Sequence, residues 1–194
     1  MAERYVIGVD FGSDSVRALI VNTETGENVG QGVACYPRWK AGLYQHPEHS
    51  IFRQHPLDYL ESLEKCITTA LAELTEEQKD HVIGIGVDTT GSTPVPVDKN
   101  GTPLALLDEF AENENAMFFL WKDHAAAAEA DEINKLFRNN SENDYTKYQG
   151  DYSAEWYWAK ILYAVRHDEA IRQAAYTWEE HCDWMTGILC GETR

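Results

Sequence analysis

Short apolar runs separated by polar turns dominate the first part of the chain, and this alternation predicts β-strands. An apolar run ends in Asp10, a polar turn follows Gly12, and apolar residues resume at Val16. The turn sequence at 22–26 then leads into the small and β-branched residues of 27–36. Successive strands joined by short turns predict an antiparallel three-strand meander.

A helical pattern follows at 56–74, where leucine and isoleucine recur at three- and four-residue steps behind Pro56. The apolar run 82–87 then predicts a strand that ends at Asp88. A strand reached through a long helix is usually parallel to the strand beside it, so the carboxyl ends of both lie at one edge of the sheet. The pattern therefore predicts that Asp10 and Asp88 share that edge.

The remaining segments carry weaker patterns. The aromatic-rich stretch 37–56 predicts a surface loop. An Asn-Gly turn within 95–107 predicts a hairpin. Ser153 is expected to cap one further helix, and a last helix is expected at about 179–189. The whole pattern predicts an α/β domain with helices around a mixed sheet.

The composition is that of a soluble globular domain with a strong acidic excess. A chain of this length buries about 70% of its unfolded surface, which is enough for one sizeable domain. Its 33 acidic and 16 basic residues leave a formal charge of −17. This charge argues against long-range attraction to nucleic acid or to an anionic membrane. It does not exclude a local phosphate site, which needs only an arginine, a few N–H groups and a metal ion.

The spacing of the cysteines and the first residues of the chain give information on the cellular compartment. The four cysteines show no CxxC pairing, so neither a zinc site nor a disulfide framework is indicated. No apolar run approaches the ~20 residues that a membrane span requires, and the first residues lack the basic and apolar regions of a signal peptide. Reduced thiols fit a cytoplasmic protein, which is the expected location.

The turn after the first strand has the residues of a phosphate cradle. Gly12 permits a backbone path closed to other residues, and Ser13 and Ser15 offer hydroxyls and N–H groups that can wrap a phosphate. Asp10 could hold Mg²⁺, while Arg17 could neutralise phosphate oxygens or pair with Asp10. An ordinary hairpin, whose Asp and Ser only satisfy its own turn, fits the same spacing.

Two later stretches have the polar groups of a ligand pocket. Thr90 and Gly91 belong to a hydroxyl-rich sequence after the second predicted strand end, and a plain loop is the alternative for it. Trp121, Lys122 and Asp123 combine an aromatic face with donors and an acceptor suited to sugar hydroxyls. The alternative there is a core tryptophan beside a solvated lysine and aspartate.

These residues together resemble the FGGY carbohydrate kinases, and within them the ribulokinases, over essentially the whole chain. The Asp-Phe-Gly-Ser turn alone indicates only the ATPase fold of actin, hexokinase and the heat-shock chaperones. The narrower resemblance rests on Tyr36-Pro-Arg-Trp39 and on the Thr-Thr-Gly-Ser-Thr sequence of 89–93. The other matching stretches are Gly8-Val-Asp-Phe-Gly-Ser-Asp-Ser-Val-Arg17, Phe52-Arg-Gln-His-Pro56, Phe110-Ala-Glu-Asn113, Leu120-Trp-Lys-Asp-His124 and Ser153-Ala-Glu-Trp156.

The resemblance implies a ribonuclease-H-like fold of the actin and hexokinase type. It also implies phosphorylation of L-ribulose at its 5-hydroxyl by ATP with Mg²⁺, a step of arabinose catabolism. By position, the ATP phosphates would be met by Asp10, Gly12, Ser13, Ser15 and Arg17, with Asp10 as the metal ligand. The sugar side would comprise Asp88, Thr90, Gly91, Trp121, Lys122 and Asp123.

The resemblance also implies parts that this chain does not contain. In the family the carboxylate that takes the proton from the attacking hydroxyl, and the adenine-binding domain, come after the position of Arg194. Residues 1–194 are therefore expected to be an incomplete N-terminal domain with no catalytic base, which folds but does not phosphorylate ribulose alone. An apolar patch left where a partner domain packs could drive formation of a homodimer.

Two other hypotheses of the function remain open. A related kinase could act on xylulose, ribitol or glycerol, because sugar choice depends on a few pocket contacts. A non-catalytic sugar- or nucleotide-binding module, or an interaction domain, could reuse the same fold. Binding measurements with L-ribulose and with Mg-ATP discriminate between these classes.

Overall fold

The computed structural model describes residues 3–140, 142 and 144–192, so Arg194 lies outside the described residues. The chain divides into two compact units. The first unit comprises Met1–Leu43 and His55–Thr90, and the second comprises Tyr44–Gln54 and Gly91–Arg194. The sequence pattern did not predict this division of the expected domain.

The secondary structure of the described residues mixes strands and helices along the whole chain. The strands are β1 (Tyr5–Phe11), β2 (Ser15–Asn22), β3 (Asn28–Cys35), β4 (Gln45–His46), β5 (Ile51–Gln54), β6 (Val82–Thr89), β7 (Pro94–Val97), β8 (Phe118–Phe119) and β9 (Thr177–Glu180). The helices are α1 (Pro37–Lys40), α2 (Pro56–Leu71), α3 (Glu76–Asp80), α4 (Ala127–Asn139), α5 (Thr146–Gln149), α6 (Tyr157–His167), α7 (Glu169–Ala174) and α8 (His181–Cys190).

The first unit is built on a four-stranded sheet in the order β3-β2-β1-β6. The β1–β2 and β2–β3 pairs are antiparallel, and β6 lies parallel to β1. This arrangement confirms the predicted meander and the predicted parallel strand. It follows from the chain order, because short turns join the first strands whereas α2 carries the chain across to β6.

Helix α2 covers one face of this sheet, and two glycines of β3 allow it to approach closely. A Cβ added at Gly32 would lie 2.1 Å from the carbonyl oxygen of Cys66, and one added at Gly30 would lie 2.6 Å from that of Ala70. No side chain larger than hydrogen fits between β3 and α2 at these two positions. The glycines therefore set the distance between helix and sheet.

The two faces of the sheet differ in exposure. The side chains facing α2 are buried, among them Tyr5, Ile7, Val9 and Phe11 of β1 and Val16, Ala18 and Ile20 of β2. The opposite face keeps apolar side chains exposed, since Leu19 is 45% exposed and Val33 is 60% exposed. The first unit thus carries an open apolar sheet face, defined by Val6, Leu19, Val21 and Val33.

The second unit combines short sheets with most of the helices. One sheet has the order β4-β5-β8 and another pairs β7 with β9. Helices α6 and α7 contact each other, and α4 packs against α6. Its buried clusters include one formed by Leu104, Ala105, Ala116, Met117 and Ile171 and another formed by Ala126, Ala130 and Ala159.

The hairpin predicted within 95–107 is wrong in its second strand. Val97 and Pro103 form an isolated bridge, but Leu104–Leu106 is a 3₁₀ turn. Leu104 and Ala105 of this turn are both buried and belong to one apolar cluster with Met117 and Ile171. β7 pairs along its whole length with β9 instead.

Two other local predictions are corrected. The stretch 37–56 is not a plain loop, because it contains α1, β4 and β5. Ser153 does not cap a helix: its hydroxyl accepts from the Glu155 N–H, and α6 begins at Tyr157. In the described part of the chain, no helix is long and apolar enough to cross a bilayer.

Candidate functional site

Asp10 and Arg17 form an ion pair at the end of β1. They are register partners in the β1–β2 ladder, and the Arg17 Nη1 lies 3.0 Å from the Asp10 Oδ2. Each side chain is 53% exposed, so both remain accessible to a ligand. The predicted proximity of Arg17 to Asp10 is confirmed.

Asp88 lies beside this ion pair. It is the register partner of Asp10 in the parallel β1–β6 ladder, so the two carboxylates stand on the same face at the carboxyl ends of adjacent strands. This confirms the shared edge that the strand pattern predicted. Arg17 of β2, Asp10 of β1 and Asp88 of β6 thus lie side by side across three neighbouring strands, and this group of one positive and two negative side chains is here called the charged row.

The turn between β1 and β2 is held by hydrogen bonds on both sides. The Gly12 N–H donates to the Ser15 carbonyl at 3.0 Å, and the Tyr36 hydroxyl donates to the Gly12 carbonyl at 3.2 Å. Ser15 is buried, and its hydroxyl donates to the Asp14 carboxylate at 2.9 Å. Ser13 is half-buried. Gly12 and Ser13 are therefore more accessible to a ligand than Ser15 is.

The charged row has the donor set that a magnesium ion uses with a nucleotide. Mg²⁺ is usually bound through one or two carboxylates together with phosphate oxygens and waters, and Asp10 and Asp88 supply two carboxylates. No group of three His, Cys, Asp or Glu side chains placed to hold a metal occurs among the described residues. The residues thus fit an ion shared with a bound phosphate better than one held by protein alone.

The candidate sugar-side residues of the first unit continue the β6 strand. The Thr90 N–H donates to the Phe11 carbonyl at 3.2 Å, which extends the β1–β6 ladder past its last paired residues. Thr90 and Asp88 are both fixed by this ladder. The sheet therefore holds Asp88 and Thr90 close to the end of β1, where the charged row lies.

The other sugar-side candidates belong to the second unit. Trp121 is 39% exposed, and the Lys122 Nζ lies 4.3 Å from the centre of the Phe52 ring. Asp123 is fully buried: its carboxylate accepts from the Phe52 N–H at 2.7 Å and is paired with the buried Arg53. The exposed face of this segment is thus made by Trp121 and Lys122, while Asp123 anchors it.

Gly91 opens a loop that Lys160 holds in place. Lys160 is fully buried on α6, and its Nζ donates to the Ser92 carbonyl at 2.6 Å and to the Leu120 carbonyl at 2.9 Å. Burial lowers the pKa of Lys160 to about 7, and the nearby Glu180 acts in the opposite direction. The Glu180 carboxylate accepts from the Thr93 N–H at 2.8 Å.

Sequence reasoning missed Arg53, Lys160 and Glu180. A signal existed for Lys160, which stands between Ala159 and Ile161 in a mainly apolar helix. A lysine in such a position is often buried and paired. Arg53 and Glu180 carry no comparable local pattern.

Comparison with known proteins identifies related sequences over nearly the whole chain. The profile described as "FGGY family of carbohydrate kinases, N-terminal domain" matches residues 5–193. The ribulokinase of Vibrio parahaemolyticus is 54% identical over 188 residues, covering 96% of this chain and 33% of that protein. The ribulokinase of Mycolicibacterium smegmatis is 38% identical over 196 residues, covering 98% of this chain and 35% of that protein.

Solved structures share the fold at lower identity. A xylulose kinase from Bifidobacterium adolescentis superposes with a TM-score of 0.72 at 19% identity, over 97% of this chain and 34% of that one. A Plasmodium falciparum glycerol kinase, solved with ADP, superposes with a TM-score of 0.72 at 15% identity. The match covers 98% of this chain and 35% of that one. This chain spans about a third of the length of its curated relatives.

Proposed function

Because this chain belongs to the FGGY family of carbohydrate kinases, we propose that it supplies the sugar-side part of an enzyme that phosphorylates L-ribulose at its 5-hydroxyl with ATP and Mg²⁺. The observation that carries this proposal is the charged row in a chain 54% identical to a ribulokinase. The row combines one accessible guanidinium with two carboxylates at a strand edge, which suits a metal-bound phosphate.

The residues of the first unit would act on the phosphate groups. Phosphoryl transfer depends on positioning and on neutralisation of charge at the phosphoryl group being transferred. Arg17 would pair with phosphate oxygens, and the Gly12 to Ser13 backbone would line the turn around them. Asp10 would hold Mg²⁺, which when bound neutralises negative charge on the phosphates. Asp88, which the resemblance assigns to the sugar side, would add a second carboxylate beside the ion because it is the register partner of Asp10. Asp10 is then shared between the ion and Arg17.

The residues of the second unit would recognise the sugar. Trp121 offers an exposed aromatic face and Lys122 a donor, and both are properties of carbohydrate sites. Gly91 would border the sugar through its backbone groups. Asp123 would act by holding Trp121 and Lys122, since its own carboxylate is engaged with Arg53 and Phe52.

The remaining parts of the proposal concern the whole protein. The base that accepts the proton from the sugar hydroxyl, and the adenine-binding domain, would lie in sequence that the longer relatives carry. Residues 1–194 would then bind L-ribulose without turning it over. We also propose a cytoplasmic location in arabinose catabolism, in line with the free thiols of Cys35, Cys66, Cys182 and Cys190.

The open apolar sheet face gives a reason to expect self-association. Leu19 and Val33 would leave water if two copies packed face to face, and apolar patches of this kind commonly drive association. We propose a homodimer of the isolated chain. Sedimentation of the wild type and of Val33→Glu tests it, with a monomer expected only for the variant.

Binding and turnover by the purified chain test the proposed function. Calorimetry with L-ribulose, D-xylulose, ribitol, glycerol and Mg-ATP should show the strongest sugar binding for L-ribulose. A coupled assay of ADP release should show no ribulose-dependent turnover. Preference for another sugar would support a related kinase, and absence of binding to every compound would support an interaction domain.

A further inference from the structure

Two segments of the second unit that carry sugar-side candidates converge on one buried lysine. The loop 91–93 contains Gly91, and the segment 120–123 contains Trp121 and Lys122. The Lys160 Nζ donates to the Ser92 carbonyl at 2.6 Å, to the Leu120 carbonyl at 2.9 Å and to the Trp121 carbonyl at 3.5 Å. One side chain thus joins both segments to α6.

The acceptors around Lys160 match its donor capacity. When protonated, the Lys160 amine has three N–H bonds, and three backbone carbonyls lie within 3.5 Å of its nitrogen. Lys160 itself is 0% exposed, and its hydrogen bond to the Leu120 carbonyl is buried from water. Removing the ammonium would take one donor from each carbonyl; the Leu120 carbonyl would keep the Asp123 N–H, which donates to it at 2.9 Å. Loss of a hydrogen bond in a protein interior is costly.

Each of the two segments is also held at a second point. The Glu180 carboxylate accepts from the Thr93 N–H at 2.8 Å, one residue after the carbonyl that Lys160 contacts. The Asp123 carboxylate accepts from the Phe52 N–H and from the Ala125 N–H. In the segment 120–123, Lys160 therefore holds the backbone before Trp121, at Leu120, and Asp123 holds it after Lys122.

We propose that Lys160 is a positioning residue of the sugar site, which holds the loop 91–93 and the segment 120–123 so that Gly91, Trp121 and Lys122 present one preformed surface to L-ribulose. This inference rests on the proposed function for its ligand. Its geometric part, the joint fixation of both segments, stands on the hydrogen bonds alone. Preformed sites lose less conformational entropy on binding, and small displacements of positioning groups weaken function strongly.

The test compares three variants of the 194-residue chain. Lys160→Met keeps the apolar stem and removes the donors, whereas Lys160→Arg keeps a positive charge and N–H donors. Lys135→Met, on the exposed side of α4, is the matched control. Should Lys160→Met not fold, Lys160→Gln, which retains one donor group, takes its place.

Three quantities are measured for each variant: hydrogen exchange at the Thr93 and Asp123 amides, the NMR signal of the Trp121 indole N–H, and the Kd for L-ribulose. Lys160→Met should lower protection at both amides and raise the Kd by about tenfold or more, as expected for lost buried hydrogen bonds. It should also shift the Trp121 signal. Lys160→Arg should recover part of each effect, and Lys135→Met should match the wild type.

The outcomes separate a positioning role from a merely structural one. Loss of protection spread evenly over the second unit, including α4, would overturn the proposal, as would an unchanged Kd in Lys160→Met. If the wild type binds no L-ribulose, the proposed function fails. In that case the hydrogen-exchange rates of the Thr93 and Asp123 amides still test whether Lys160 holds the two segments. Faster exchange in Lys160→Met that is partly reversed in Lys160→Arg would support this, and unchanged exchange would overturn it.

Discussion

The carboxylate of Asp10 lies 3.0 Å from the guanidinium of Arg17, and both side chains are half exposed. Exposed ion pairs contribute only about 0–1 kcal/mol to stability. This pair is therefore not needed to hold the β1–β2 hairpin together, which the backbone ladder does. Opening the pair to bind a phosphate, as proposed above, would therefore cost the fold little.

Removal of Arg17 should weaken phosphate binding while leaving the fold stable. Arg17→Met removes the accessible guanidinium of the charged row, so we expect affinity for Mg-ATP to fall by about tenfold, as a lost charge-assisted hydrogen bond implies. Calorimetry measures the affinity, and thermal unfolding should shift little. Arg166→Met is the control, because Arg166 forms a similarly exposed pair with Glu132 in the second unit. Equal affinities in both variants would contradict a phosphate role.

The close approach of α2 to β3 predicts a sharp difference between two glycines. Gly32→Ala places a Cβ 2.1 Å from the Cys66 carbonyl and should destabilise the chain by about 2 kcal/mol or more through overpacking. Gly8→Ala is the control, since a Cβ there meets nothing within 4 Å. Urea unfolding followed by circular dichroism measures both. A Gly32→Ala variant as stable as Gly8→Ala would show that α2 can move away without cost.

The buried pair of Arg53 and Asp123 should matter far more than an exposed pair. Both side chains are at most 1% exposed, so Asp123→Ala leaves a buried charge without its partner and should cost about 3 kcal/mol or more. Asp151→Ala, which breaks the exposed Arg138–Asp151 pair, should cost about 0–1 kcal/mol. The free energy of unfolding in urea distinguishes the two. Similar losses in both variants would mean that Asp123 does not anchor its segment.

His46 should titrate at a higher pH than an unperturbed histidine. Its hydrogen bond to Glu114 is the main cause that raises its pKa, and the negative charge of Glu114 adds to it. A raised pKa in the folded state means that this contact stabilises the protein fully below pH about 6.5 and that the contribution is lost as pH rises through the folded pKa. Glu114→Gln should return the NMR titration of His46 toward its usual value.

The matched control for this titration is Glu109→Gln, which removes an exposed acid from the same region. It should leave the His46 titration unchanged. The stability difference between wild type and Glu114→Gln should be larger at pH 6 than at pH 9. A difference that grows with rising pH would have the wrong sign and would refute the assignment.

Most of the first unit could be predicted from its sequence. The meander, α2 and the parallel β6 follow from hydrophobic periodicity and from the length of each connection, which are local properties. The shared edge of Asp10 and Asp88 follows from the same rules, because parallel strands end on one side. Helix α3 was missed, although Thr75 and Gln78 form a capping box that identifies its start.

The second unit could be predicted only in part. The final helix was expected at about 179–189 and lies at His181–Cys190, since β9 takes up the residues before it. The strand that pairs with β7 could not be inferred, because the paired residues Pro94 and Glu180 are far apart in the chain. The Asn-Gly turn within 95–107 instead indicated a partner strand directly after β7. That nearer segment forms a 3₁₀ turn at Leu104–Leu106, and its Leu104 and Ala105 belong to a buried cluster of the second unit.

The sequence by itself determined the α/β class, the meander and the edge that carries Asp10 and Asp88, because each depends on the periodicity of neighbouring residues. Only the tertiary structure decided that Asp123 is buried against Arg53 and that Lys160 joins two distant segments. Arg53 and Asp123 are 70 positions apart in the chain, and Lys160 is 68 and 40 positions from Ser92 and Leu120. The acceptors of Lys160 are, moreover, backbone carbonyls. A carbonyl is present at every residue, so no sequence pattern marks the ones that a buried lysine will contact.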